Sequence, residues 1–138
     1  MSYFEPWQWI INAAPFRDEY AKLVEVFYRA AKAADPNCYV GVQVAYVGAM
    51  ESLMRRGIGP YFDIADFHSY AWGPDAAEDN ISEIYEAMHQ MLSSYGYDGI
   101  TKPKKWYICT ETGHSYSESG KQGSRENQIA HAMRNIAV

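Results

Sequence analysis

Apolar residues recur in two parts of the chain at the three- and four-residue spacing of a helix that is buried on one face. In residues 18–34 this stripe consists of Tyr20, Leu23, Val24, Phe27, Ala31 and Ala34. Residues 81–95 carry a second stripe, which Asn80 can cap at its start and Gly96 can end. Both segments are therefore predicted to be amphipathic helices that pack against a core.

Short apolar runs rich in β-branched and aromatic residues lie between the helical segments, as is typical of strands buried on both faces. Strands are expected at the opening "SYFEP" and at residues 38–44, 62–71 and 105–110. Shorter helices are expected around residues 49–56 and from Ser124 onward. Strand and helix thus alternate four times, which predicts an α/β fold with four parallel strands in one domain over residues 1–138.

The composition excludes several classes of protein. The 138-residue chain has a net charge of −5 and no basic cluster longer than "KPKK", so a nucleic-acid partner is not expected. No apolar run approaches the roughly 18 residues of a membrane span, so a membrane partner is not expected either. The first residues lack the basic and apolar segments of a signal peptide, and the compartment stays open. Aromatic residues reach 15%, and their flat apolar faces suit stacking against sugar rings.

Two glutamates follow apolar strands at the point where each strand is expected to end. Glu5 follows the first strand, and Glu111 follows the fourth, within "WYICTETGHS". In parallel α/β folds the carboxyl ends of the strands are where active sites are built. Strands three positions apart in a closed barrel partly face each other, so the two carboxylates are expected to flank one bond.

Three segments of the chain resemble clan A of the retaining (β/α)8-barrel glycoside hydrolases. They are "FEPWQW" at residues 4–9, "DFHSYAWGP" at residues 66–74 and "CTETGHS" at residues 109–115. They stand in the order and at the spacing of that family, although Phe4 occupies a position where the family usually has asparagine. The resemblance runs from strand 4 to helix 7 and implies a partial (β/α)8 TIM barrel of four parallel βα units.

The resemblance also implies a reaction and a role for each site residue. Glu111 would be the nucleophile and Glu5 the acid/base in a double displacement that hydrolyses O-glycosidic bonds of oligo- or polysaccharides with retention. The residues expected to contact the carbohydrate substrate are His68, Tyr70, Trp72 and Trp7. One of the first two would also donate a hydrogen bond that orients Glu111. No cofactor and no metal is implied.

Other interpretations of the same residues stay open. His68, Glu111 and His114 could be metal ligands, but their spacing matches no zinc motif, so no metal site is predicted. A different functional class is a catalytically incomplete α/β fragment that at most binds carbohydrate. Four strands taken from a closed barrel leave two unpaired edges, so association into a homo-oligomer through these edges is a further expectation.

Overall fold

The computed structural model describes residues 17–71 and 81–114, in which helices and strands alternate. The elements are helix α1 (Arg17–Ala34), strand β1 (Gly41–Val44), helix α2 (Val47–Met54), a 3-10 turn (Gly59–Tyr61), strand β2 (Ile64–Ala71), helix α3 (Ile81–Ser94) and strand β3 (Trp106–His114). The three strands form one parallel sheet in the order β1-β2-β3. The predicted α/β class and parallel sheet are therefore confirmed for this part of the chain.

Some predicted elements fall on other parts of the chain. The strand at "SYFEP", the Asn80 cap and the helix from Ser124 onward lie outside the described residues. Within the described residues, Gly96 follows α3 with a φ of +87°, as expected for a glycine that ends a helix. No helix in the same part of the chain is long and apolar enough to cross a membrane.

All three strands differ from their predicted bounds. β2 begins two residues later than predicted, at Ile64, and the differences in β1 and β3 have local causes. β1 begins at Gly41 and not at residue 38, because the chain first turns: the amide of Cys38 donates to the carbonyl of Asp35 over 3.2 Å. β3 continues to His114, four residues past the predicted end, because β2 reaches Ala71 and keeps pairing with it. Glu111 therefore lies within a strand, which corrects the prediction that it follows one.

The sheet has one apolar face and one polar face. The side chains of β1 and β2 that join the apolar core are Val42, Val44, Ala65 and Phe67. Buried residues of all three helices belong to the same core, so the helices cover this face. The alternate positions of the two strands carry Gln43, Asp66 and His68, which are also buried. The polar face is therefore built from the same strands as the core.

A buried lysine fixes the start of β3 to the turn that precedes β2. The Nζ of Lys105 donates hydrogen bonds to the backbone carbonyl oxygens of Gly59, over 2.7 Å, and of Phe62. It also lies 4.4 Å from the centre of the Tyr97 ring. Burial lowers the pKa of the Lys105 amine to about 8, because the apolar surroundings disfavour its charged form.

The close packing of Tyr97 on the 3-10 turn yields a prediction for Gly59. A Cβ at Gly59 would lie 2.3 Å from the Tyr97 hydroxyl oxygen, whereas a Cβ at Gly41 meets nothing closer than 3.8 Å. Gly59→Ala is expected to lower the free energy of unfolding by about 1 to 3 kcal/mol, because the buried Tyr97 ring must move. Urea denaturation measures this, with Gly41→Ala as the control. Equal urea midpoints for Gly59→Ala and the wild type would contradict the packing.

The depressed pKa of Lys105 predicts how stability changes with pH. Between about pH 8 and the ordinary lysine pKa of 10.5, the unfolded chain binds more protons than the folded chain, so the free energy of unfolding rises with pH. Relative to Lys105→Met, the wild type is expected to gain about 1 to 2 kcal/mol between about pH 7.5 and about pH 9.5. Urea denaturation at both pH values tests this. A difference between the two proteins that does not change with pH would show that the amine titrates normally.

Candidate functional site

Three residues predicted from the sequence meet where β2 and β3 pair on the polar face. His68 of β2 is the cross-strand partner of Glu111 of β3, and Tyr70 lies two residues further along β2. Side chains two residues apart on a strand project from the same face, so His68 and Tyr70 flank the Glu111 carboxylate along the strand direction. The sheet thus brings one acidic side chain and two hydrogen-bond donors together.

The two donors converge on one oxygen of the Glu111 carboxylate. The Tyr70 hydroxyl donates a hydrogen bond to Oε2 of Glu111, and Nδ1 of His68 lies 3.3 Å from the same atom. Within the described residues no hydrogen bond is made to Oε1. The Glu111 side chain is 43% exposed, whereas that of His68 is 5% exposed. The cluster therefore restrains the Glu111 carboxylate through one of its two oxygens.

The contact with Glu111 also changes the pKa of Tyr70, in the direction that favours the protonated hydroxyl, which donates the hydrogen bond. The hydrogen bond to the Glu111 carboxylate raises the pKa of Tyr70, and partial burial raises it further. The rings of His68 and Tyr70 also meet edge to face, with centroids 6.3 Å apart, which restrains the two side chains relative to each other. His68, Tyr70 and Glu111 thus form a small cluster in which each side chain restrains the other two.

A β-bulge in β3 places Glu111 on this face. Phe67 pairs with Cys109, but the next residue, His68, pairs with Glu111, so Thr110 is an extra residue in β3. The hydroxyl of Thr110 donates a 2.7 Å hydrogen bond to Oδ1 of Asp66. Asp66 is only 1% exposed, so the acceptor of this hydrogen bond is buried, whereas Thr110 itself is exposed.

The row of polar side chains continues from β2 to β1. Gln43 pairs with Asp66 across the sheet and its side chain is fully buried. Neither of its amide atoms has a hydrogen-bond partner among the described residues. Buried polar atoms are costly without hydrogen bonds, so the amide of Gln43 extends the polar character of this face to the first strand of the sheet.

The structure describes half of the residues predicted for the site. It places Glu111, His68 and Tyr70 in contact. Glu5, Trp7 and Trp72 lie outside the described residues. Among the residues that are described, no group of three His, Cys, Asp or Glu side chains could hold a metal ion.

The sequence interpretation did not identify the polar residues that lie next to the cluster of His68, Tyr70 and Glu111. Asp66 and Gln43 are polar residues inside apolar strand segments, and this position within a predicted strand was a signal that could have found them. The role of Thr110 had no such signal, because the bulge depends on how β3 pairs with β2 and not on local sequence.

Comparisons with protein-family models, with curated proteins and with solved structures each give no match. The function is therefore inferred from the geometry of the site and from the motifs of the sequence.

The hydrogen bond between Tyr70 and Glu111 predicts a change in tyrosine titration. Glu111→Gln is expected to lower the pKa of Tyr70, because it removes the negative charge that disfavours tyrosinate. NMR of tyrosine labelled with ¹³C at the hydroxyl-bearing ring carbon measures this pKa, and Tyr70→Phe assigns the signal. Glu83→Gln is the control, because Glu83 is an exposed acid on α3. An unchanged Tyr70 titration in Glu111→Gln would mean that the two side chains do not interact in solution.

Proposed function

We propose that this chain carries the nucleophile half of the active site of a retaining glycoside hydrolase. The observation that supports this function best is the Glu111 carboxylate, with Oε2 approached by Tyr70 and His68 and Oε1 left without a hydrogen bond from the described residues. A carboxylate that attacks a sugar must present one oxygen to the anomeric carbon while its charge is stabilised. The motifs around Glu5 and Glu111 point to the same chemistry.

We further propose that the sheet is part of a (β/α)8 barrel, with β1, β2 and β3 as its strands 5, 6 and 7. Two features of the described residues support this. The strands follow one another in chain order without a reversal, as consecutive strands of a barrel do. The three helices share one core on one face, which leaves the polar face for a barrel interior.

The proposed reaction proceeds in two displacements. In the first, an oxygen of the ionised Glu111 forms a bond to the anomeric carbon while the bond from that carbon to the leaving oxygen breaks. The leaving oxygen takes the proton of Glu5. In the second, Glu5 removes a proton from water, the water oxygen bonds to the anomeric carbon, and Glu111 is released as a carboxylate. Two inversions give net retention.

The residues around Glu111 have separate tasks in this scheme. The hydrogen bond from Tyr70 and the contact with His68 at Oε2 hold the carboxylate in one orientation, and the raised pKa of Tyr70 favours its donor form further. Tyr70 is 40% exposed, so its ring can also contact a bound sugar. Trp7 and Trp72 are proposed as stacking walls on the strength of the sequence motifs alone.

The proposal predicts that hydrolysis depends on both glutamates. A panel of aryl glycosides that differ in sugar and anomer is tested with the wild type, Glu111→Gln and Glu5→Gln. The loss of either group is expected to reduce kcat by at least about a thousandfold on the substrate that is cleaved. A 2-deoxy-2-fluoro glycoside with a good leaving group is expected to leave its sugar esterified to Glu111, and mass spectrometry of the peptides locates that ester.

Glu83→Gln is the matched control and is expected to keep full activity, since Glu83 is exposed on α3. Hydrolysis that survives in Glu111→Gln, or an ester on another residue, would contradict the proposal. Sugar binding without turnover would instead favour the non-enzymatic carbohydrate-binding fragment. Sedimentation of the same samples shows whether activity belongs to the monomer or to a self-associated form joined through the sheet edges.

A further inference from the structure

Regular strand alternation would turn Glu111 away from the polar face. Tyr107 and Cys109 pack against the apolar core, and a regular strand would direct Glu111, two residues after Cys109, to that same side. A shift of one residue in register exchanges the two faces of a strand. The extra residue in β3 supplies this shift, so that Glu111 instead pairs with His68.

One hydrogen bond ties the extra residue to the centre of the sheet. Thr110 occupies the bulge, and its hydroxyl donates to Oδ1 of Asp66 over 2.7 Å. Asp66 belongs to β2, which has a strand on each side, and its side chain is buried. A carboxylate is costly to bury, so a hydrogen bond to it is worth more than one between neutral groups. The bulge is thus fixed to the central strand of the three described.

We infer that Asp66 is a positioning residue for Glu111, acting through the Thr110 hydroxyl to hold the bulge that turns the Glu111 carboxylate onto the polar face. The inference depends on the proposed function only for the role of Glu111 as nucleophile. The geometric part concerns the placement of a carboxylate and is measurable in a protein without turnover.

The Thr110 side chain offers a matched pair of variants. Thr110→Val removes the hydroxyl but keeps the branched shape that suits a strand, whereas Thr110→Ser keeps the hydroxyl and removes a methyl group. Thr110 is exposed, so neither change empties a core position. A difference between the two variants therefore reports on the Thr110 hydroxyl, which donates to Asp66.

The first measurement is the titration of Tyr70, whose pKa is raised chiefly by its hydrogen bond to Glu111. With ¹³C-labelled tyrosine, Thr110→Val is expected to lower the pKa of Tyr70 toward the ordinary value, because Glu111 leaves its position. Thr110→Ser is expected to keep the wild-type titration. A merely structural role of Thr110 would change the urea midpoint and leave the Tyr70 titration alone. A wild-type Tyr70 titration in Thr110→Val overturns the inference.

The second measurement is turnover of the aryl glycoside that the wild type cleaves. Thr110→Val is expected to lower kcat by about ten- to a hundredfold with little change in KM, because the nucleophile is misplaced. Thr110→Ser is expected to retain most of kcat. If the wild type cleaves no glycoside, the proposed function fails, and the Tyr70 titration still decides whether Asp66 and Thr110 position Glu111.

Discussion

The strict alternation of side chains along a β-strand is the constraint on which the rest of this structure depends. In β1 and β2, alternate residues join the apolar core beneath the helices, and the residues between them lie on a polar face. Because one strand must serve both faces, the identity of a residue does not by itself decide its role. What decides it is the register of the strand relative to its neighbour.

The polar face is stabilised differently from the core. Val44 and Phe67 gain from leaving water, but Asp66 and Gln43 lose hydration when they are buried and need compensating contacts. For Asp66 one such contact is the Thr110 hydroxyl. A face that contains groups of this kind adds little to stability by area alone. Its value is that the hydrogen bonds made on this face hold side chains in one geometry.

The sequence predicts the local parts of this structure well and the paired parts less well. The apolar stripe of α3 and its end at Gly96 are properties of consecutive residues, and both follow from spacing. His68, Tyr70 and Glu111 could be grouped because strand ends and motifs placed them at one edge. The bulge at Thr110 could not be predicted, because it exists only in the pairing of β3 with β2 and these two segments are about 40 residues apart in the chain. From the local sequence, Glu111 was expected to follow the strand. The pairing of β3 with β2 shows that it lies within the strand.

The bulge also makes β3 tolerant of one change in chain length. If Thr110 were lost, Glu111 would follow directly after Cys109 and would still pair with His68, now in a regular strand. The residues after Glu111 would keep their partners on β2 as well, so the change would stay confined to one position. Insertions and deletions are usually tolerated in loops and rejected in strands. Here a strand contains one position at which the length of the chain is itself adjustable.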